Sequence, residues 1–597
     1  MPIGETPFFR MVVKTKEKQW IVREPGNPIY TRQLVQELGI DEVLANLLVQ
    51  RGIKSSDDVR RFFHPSLEML HDPFLMTDMD VAVERLHKAV TEREKILVYG
   101  DYDVDGTSAV SLVYSFLRRL TPNLDYYIPD RYDEGYGISF YGVDWALERK
   151  CSLVIALDCG IKEAEAVKYA KEKGIDFIIC DHHLPGDVLP PAVAVLDPKR
   201  EDCHYPYDDL SGCGVGFKLV QGYTQRYNIP FEEITPLLDL VAVSIAADLV
   251  SVTGENRVLA YYGLKRLNEA PRKGLLSMIK LSGLEKHKIT IDDVVFKIGP
   301  RINAAGRMES GRMAVDLLTS DDIAEAARIG KEINDHNNER KSIDRAITEQ
   351  AIEIVRNHPN FSTLNSTVVY NPEWHKGVVG IVASRLVEAF YRPTIVLTKS
   401  ANGFISGSAR SIAGFDLYDA IESCADLLEN FGGHTYAAGL TLKEENLETF
   451  RQRFESIVTK NITKEILTPI INIDAFLEFK QITPKFFRLL NNFQPFGPGN
   501  QSPVFMTTSV YDNGNGRIVG NANGGRGGHL KLELIQEDAP YRPLSAIAFN
   551  MSEYFDHLAG GDPVDICYSI AENFYRSSIA NIQLRIKDIR EGKDTTL

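Results

Sequence analysis

Four short apolar runs recur between residues 96 and 198, and each leads into an aspartate. Ile96-Leu97-Val98-Tyr99 runs through Gly100 to Asp101, Leu153-Val154-Ile155-Ala156-Leu157 to Asp158, Phe177-Ile178-Ile179-Cys180 to Asp181, and Val193-Ala194-Val195-Leu196 to Asp197. Between them lie helix-length segments with apolar residues at helical spacing, as from Ser108 to Leu120. Strands that are continuously apolar rather than alternating are covered on both faces, which predicts a parallel sheet in an α/β domain. Right-handed crossovers bring all the strand ends to one edge, so acids spread over about a hundred residues converge. That edge is where open α/β sheets bind ligands.

The pattern changes along the rest of the chain. Residues 1–75 predict an extended lead-in and short helices packed on the catalytic domain, which spans 76–320. From Asp321 to Asn357 the chain is free of proline and carries one glycine, Gly330. A single helix over 321–358 would reach about 55 Å and connect two domains. Strand and glycine signals resume at Ser366 to Tyr370, predicting a second, smaller α/β unit over 359–465. From 466 to 597 β-rich segments are broken by Pro495-Phe496-Gly497-Pro498-Gly499-Asn500 and by the Gly/Asn-rich stretch from Asn513 to Gly528, predicting a small β-barrel.

Composition narrows the partners. The chain has 597 residues, with 67 Lys+Arg against 82 Asp+Glu and a formal charge of -15, which excludes a surface that clamps a polyanion everywhere. A local basic stretch between Tyr261 and Arg307 could still meet one. The seven cysteines form no C-x-x-C pair, as expected of reduced thiols in a cytoplasm. No run of about 18 apolar residues and no basic-then-apolar start occur, so neither a spanning segment nor a signal peptide is expected.

Chemistry concentrates at the strand ends. Asp101, Asp103 and Asp105 alternate with Tyr102 and Val104 ahead of Gly106. Carboxylates so close repel unless a cation sits among them. A solvated acidic turn or a calcium loop would use the same residues, but the closing glutamate of an EF-hand is replaced by Leu112. Asp181-His182-His183 adds imidazole at the third strand end, and the apolar helix from Leu237 to Ala247 delivers Asp248. Oxygen-rich ligands with imidazole and no thiolate suit Mn²⁺ or Mg²⁺, with imidazole favouring Mn²⁺. The set is too large for one ion with an open position and sufficient for two sharing a carboxylate. Two such ions serve in-line phosphoester hydrolysis.

These motifs, in this order, resemble those of the DHH phosphoesterase superfamily. Gly432-Gly433-His434 followed by Ala437-Ala438-Gly439 resembles the signature of its DHHA1 partner domain. Arg301-Ile302-Asn303-Ala304-Ala305-Gly306-Arg307 and the Pro495 to Asn500 motif make the chain similar to the superfamily's bacterial exonucleases specific for single-stranded DNA, with an oligonucleotide-binding (OB) barrel at the C-terminus. The resemblance implies that Asp105, Asp158, His182 and Asp248 hold one metal, and Asp103 with the bridging Asp158 another, with Asp101 beside it. Family II pyrophosphatases have a histidine where this chain has Tyr99, so the ion on the Asp103 side is expected to be the weaker. His183 would face the scissile phosphate, and Asp101 and Asp181 would join it in catalysis or orient the ligands by hydrogen bonding. Arg131, Arg301, Arg307, Ser408 and Arg410 are the implied grip on a 5′-phosphate, setting 5′→3′ polarity in repair and recombination. Gly432, Gly433 and His434 would form an anion nest or a tight turn. Single-stranded DNA is the implied substrate, a helicase and a single-strand-binding protein the implied partners, and a monomer the expected state. A phosphodiesterase for short oligonucleotides or cyclic dinucleotides, and a non-catalytic single-strand-binding scaffold, are the competing readings.

Overall fold

The computed structural model describes residues 18–361, 363–400, 403–520, 528–537, 542–573 and 581–592. Two compact units are present, one of residues 60–340 with 493–501, the other of residues up to 59 with 341–492 and 502–597.

The first unit is built on five parallel strands: β1 (Ile96–Gly100), β2 (Leu124–Tyr127), β3 (Leu153–Leu157), β4 (Asp176–Cys180) and β5 (Ala194–Leu196), in the order β2-β1-β3-β4-β5. Successive side chains enter opposite cores. Ile96, Val98, Leu153, Ile155 and Ile178 join the cluster beneath the large helices, whereas Leu97, Tyr99, Val154, Ala156 and Ile179 join the one on the other face. Both parities are therefore apolar, which is why the runs are continuous. On the larger core lie α1 (Val104–Leu117), α2 (Gly212–Arg226), α3 (Leu238–Ala247) and α4 (Gly254–Glu269). Between α2 and α4 the fully buried Lys218 Nζ meets Glu255 Oε1 at 2.8 Å.

The long helix α5 (Ile323–Arg356) runs 34 residues, about 51 Å. Beyond it, β6 (Thr367–Tyr370), β7 (Thr394–Lys399), β8 (Ile405–Arg410), β9 (Leu428–His434) and β10 (Ala437–Leu442) form a sheet in the order β9-β10-β8-β7-β6. Only the β6–β7 pair is parallel, so this α/β unit is mixed.

The C-terminal strands are β11 (Phe505–Asp512), β12 (His529–Gln536), β13 (Leu544–Ala548), β14 (Val564–Asn573) and β15 (Asn581–Glu591). They close as β11-β14-β15-β13-β12-β11, five strands with one parallel pair, β13 with β15, and the short strands Ala475–Phe476 and Arg517–Val519 pair onto β11 and β12. That is the OB arrangement. Much of the Gly/Asn-rich stretch, 521–527, lies outside the described residues, as do 1–17 of the lead-in.

One expectation is corrected. The lead-in does not pack as a whole on the catalytic domain: Gln19–Val22 pairs in parallel with Ile470–Ile473, and only residues from Arg60 onward group with the catalytic unit. Trp20 explains the difference, because its indole N–H donates to Asp588 at 2.9 Å and its ring lies under Arg590 at 4.2 Å, anchoring the strand to the barrel. Among the described residues no helix is long and apolar enough to cross a membrane.

Candidate metal centre and active site

Strand β1 stops at Gly100, and α1 starts four residues later with Asp103 as its N-cap, whose Oδ1 accepts the Gly106 N–H at 3.0 Å. Asp101 thus sits at the strand exit and Asp105 in the first helical turn. Gly106 is obligatory here, since a Cβ would fall 2.5 Å from the Asp101 carbonyl oxygen.

Asp105 is aimed by groups far away in sequence. Its Oδ2 accepts the Gly212 N–H at 2.7 Å, and its Oδ1 accepts the Cys213 N–H at 2.8 Å and the Ser244 hydroxyl at 2.7 Å. These donors come from the N-terminus of α2, capped by Ser211, and from α3. A helix N-terminus favours a carboxylate on its open N–H groups. Asp158 ends β3 in a left-handed conformation, φ 60°. A Cβ at Gly212 would lie 2.5 Å from both Cβ and Oδ1 of Asp158, so glycine lets α2 approach that carboxylate.

His182 Nε2 stands 3.2 Å from Asp158 Oδ1, 3.5 Å from Asp248 Oδ2 and 3.9 Å from Asp105 Oδ2. Both His182 ring nitrogens, Asp158 Oδ1 and Asp101 Oδ1 are buried without a hydrogen-bond partner. Orphan ligand atoms of this kind, converging from three strand ends with the Asp248 carboxylate nearby, fit a divalent cation. Asp105, His182 and Asp248 form one group whose ligand atoms lie within 4.8 Å of one another, Asp101, Asp103 and Asp158 another, and Asp158 with His182 and His183 a third that joins them. Asp158 therefore links the Asp101 and Asp103 carboxylates to His182, which in turn groups with Asp105 and Asp248.

Electrostatics agree with the geometry. Burial, followed by repulsion from Asp105, raises Asp158 well above the ordinary carboxylate range, and burial with repulsion from Asp103 does the same to Asp101. Burial and the Asp105 charge push Asp248 up to about 8. Burial lowers His182 to about 4, keeping its imidazole neutral as a metal ligand requires.

His183 differs. Its Nδ1 lies 2.8 Å from Asp181 Oδ1 and 3.1 Å from the Tyr136 hydroxyl. Burial opposes its charge, yet the Asp181 hydrogen bond raises it to about 9. Asp181 also accepts the Ile161 N–H at 3.0 Å and the His182 N–H at 2.8 Å, so it fixes both histidines without joining the ligand groups. Tyr99 is buried with Tyr127 on the opposite core, its hydroxyl donating to Gly137 O at 3.0 Å.

The arginines separate. Arg131 lies over the Tyr102 ring at 4.6 Å, beside Asp101 and Asp103, and the Arg307 carbonyl accepts from Tyr132. Arg301 is buried, donating to Asn334 Oδ1 at 3.1 Å and Lys297 O at 2.5 Å; its guanidinium serves the interior rather than a phosphate.

In the other unit, Ser408, Gly439 and Gly432 form one cross-strand row, and Arg410, Ala437 and His434 the next, all on one sheet face. Gly432, Gly433 and His434 belong to an edge strand, and the tight turn follows them at Thr435 and Tyr436. A Cβ on Gly380 would lie 3.1 Å from Arg410 Nη2 and 3.2 Å from Ser408 Oγ, which places both side chains at the N-terminal turn of the helix Val379–Phe390. Sequence reasoning missed Gly380, Gly212, Ser211, Ser244 and Tyr136. Of these, only Ser211 ahead of a glycine-rich helix start carried a local signal, that of an N-cap.

Three family models match: the DHH family N-terminal domain at residues 95–245, the DHHA1 domain at 363–460 and the RecJ OB domain at 473–588. The chain is 37% identical over 571 residues to the single-stranded-DNA-specific exonuclease RecJ of Bacillus subtilis, covering 96% of this chain and 70% of that protein. Its identity to the protein of the same name from Escherichia coli is 33%, covering 92% of this chain and 95% of the other. The crystal structure of Thermus thermophilus RecJ in complex with Mn²⁺ superposes with a TM-score of 0.81 at 26% identity, covering 96% of this chain and 80% of that one.

Proposed function

The chain belongs to the RecJ family, and from that premise and the site geometry we propose that it is a divalent-metal-dependent exonuclease that degrades single-stranded DNA from the 5′ end. One observation carries the reading: buried, unpartnered ligand atoms of His182 and Asp158, two neighbouring residues of which His182 groups with Asp105 and Asp248, and Asp158 with Asp101 and Asp103. Asp105, Asp158, His182 and Asp248 would hold one ion, and Asp103 and Asp158 a second with Asp101 at its side, Mn²⁺ preferred and Mg²⁺ accepted. Ions bound there supply an activated water and offset charge on the scissile phosphate.

The chain's own groups do the rest. Asp181 occupies Nδ1 of His183, and Nε2, 3.4 Å from the Tyr136 hydroxyl, would donate toward a phosphate oxygen. Ser408, Arg410 and the N-terminal turn of the helix Val379–Phe390 supply a hydroxyl, a guanidinium fork and open N–H groups, the donors a terminal phosphate needs. Arg131 and Arg307, flanking Tyr102, are a second pair of phosphate contacts. The closed barrel favours a polymeric strand over a cyclic dinucleotide, and the full set of ligand side chains argues against a scaffold. Cytoplasmic work in repair and recombination, as a monomer alongside a helicase and a single-strand-binding protein, rests on family membership alone.

Digestion of 5′- and 3′-labelled single strands, with and without Mn²⁺, tests the reading. The 5′ label should be released first as mononucleotide, only with metal, and duplexes should survive. Release beginning at the 3′ end would overturn the polarity, and rapid cleavage of cyclic dinucleotides in preference to strands would overturn the substrate.

Arg410→Ala should lower kcat/KM on 5′-phosphorylated strands roughly 10- to 100-fold, the loss of a charge-assisted contact of about 1.5–3 kcal/mol. Activity on 5′-hydroxyl strands should change much less. Equal losses on both substrates would remove Arg410 from end recognition.

A further inference from the structure

Asp248 is the ligand candidate carried at the C-terminal end of a helix. It caps α3, its N–H bonded to Ser244 O at 2.9 Å, and Leu249 follows with φ 58°. From Val250 to Thr253 the chain is neither helix nor strand before α4 begins at Gly254. The ligand is thus carried on irregular backbone, whose position depends on what else bonds to it.

Tyr207 and Asn256 donate to the Ser251 carbonyl at 3.2 and 2.9 Å, and the loop Phe493–Gln501 holds the next residue. That loop groups with the catalytic unit, although the chain on both sides, up to Asn492 and from Ser502, groups with the other. Its Pro498 carbonyl accepts the N–H of the buried Val252 at 2.7 Å. A Cβ on Gly497 would lie 2.4 Å from Val252 Cγ2, and one on Gly499 would lie 2.5 Å from Ser251 Oγ. The loop is itself braced. Gly497 and Asn500 exchange backbone hydrogen bonds at 3.0 Å, and the Asn500 side-chain amide donates to Phe493 O at 2.8 Å and Pro495 O at 2.9 Å. Arg257 of α4, stacked on Phe62 at 3.7 Å, donates to Phe493 O at 3.0 Å and Gln494 O at 2.9 Å.

We infer that the loop Phe493–Gln501 is a positioning clamp for Asp248: by fixing Ser251 and Val252 it sets the reach of that carboxylate toward His182, and so the metal affinity of the centre. The inference rests on Asp248 being a metal ligand. Groups that orient a ligand commonly change metal affinity 10- to 100-fold when lost. The clamp's glycines are needed for close approach, and Pro498 offers a carbonyl without a competing N–H.

The test uses the full-length protein and Mn²⁺ alone, with binding measured by calorimetry and by the spin-resonance signal of free Mn²⁺. Gly497→Ala, which drives a methyl into Val252, should weaken Mn²⁺ binding about tenfold. Adding Val252→Ala, which removes the colliding Cγ2, should restore it. Asp248→Ala should lose the same binding step. Wild-type affinity in Gly497→Ala, with that step lost in Asp248→Ala, would overturn the clamp and leave the ligand assignment standing. Unchanged binding in Asp248→Ala would overturn the ligand assignment and the clamp with it. A loop that merely adds stability would lower the melting temperature in Gly497→Ala and leave Mn²⁺ affinity alone. If Gly497→Ala does not fold, Asn500→Ser cuts the brace without adding volume and carries the same expectation, and an unchanged affinity there overturns the clamp.

Discussion

Asp158→Ala is expected to abolish strand cleavage while the protein still binds single-stranded DNA. Asp158 groups both with Asp101 and Asp103 and with His182 and His183, and its Oδ1 is buried with no hydrogen-bond partner. Losing a ligand common to both ions removes several kcal/mol of charge stabilisation at the scissile phosphate. At about 1.4 kcal/mol per factor of ten, the rate should fall at least about a thousandfold. Release of labelled nucleotide in Mn²⁺ measures the first part, and fluorescence anisotropy of a labelled strand without metal measures the second. The same substitution relieves repulsion among crowded acids, so the metal-free variant should melt no lower than the parent. Manganese-dependent cleavage persisting near the parent rate would end the two-ion assignment.

The second large effect is on stability. Lys218 Nζ donates to Glu255 Oε1 and to His71 O at 2.7 Å, while Glu255 also accepts from Tyr205 at 2.6 Å and from the His71 N–H at 3.0 Å. Neither member of the pair is exposed to solvent. Removing one member of a buried pair strands the other charge, at a cost of about 3–5 kcal/mol. Lys218→Ala should therefore lower the unfolding transition of the catalytic unit by something on the order of 10 °C. Lys218→Met combined with Glu255→Gln should recover most of the loss, because no unpaired charge remains. Calorimetric melting of the three proteins decides it, and a loss of less than about 1 kcal/mol in Lys218→Ala would mean that water reaches the pair.

Much of the site was legible in the chain because a parallel sheet turns periodicity into position. Apolar residues at both parities can only be strands covered on both faces, and one handedness of crossover brings Asp101, Asp158 and Asp181 to one edge. The Asp-His-His sequence at that edge then named the chemistry. Arg301 shows where this reasoning stops. Its motif marked it as a phosphate contact, yet a guanidinium reaches inward as readily as outward, and its helix turns it toward Asn334 and Lys297. The lead-in strand shows the same limit, since nothing local distinguishes Ile470–Ile473 from any other edge it could pair with.

The sequence by itself determined the sheet, the alternating aspartates at its edge, the long helix and the β-rich character of the C-terminal domain, which follow from the order of residues and side-chain periods of two and 3.6. Tertiary structure alone decided how those aspartates are aimed. Asp105 is held by Gly212 and Ser244, 107 and 139 residues away, and Val252, shortly after Asp248, bonds to Pro498 more than two hundred residues downstream. Hydrogen bonds between distant segments leave no period in either one, so they become visible only once packing has brought the partners together.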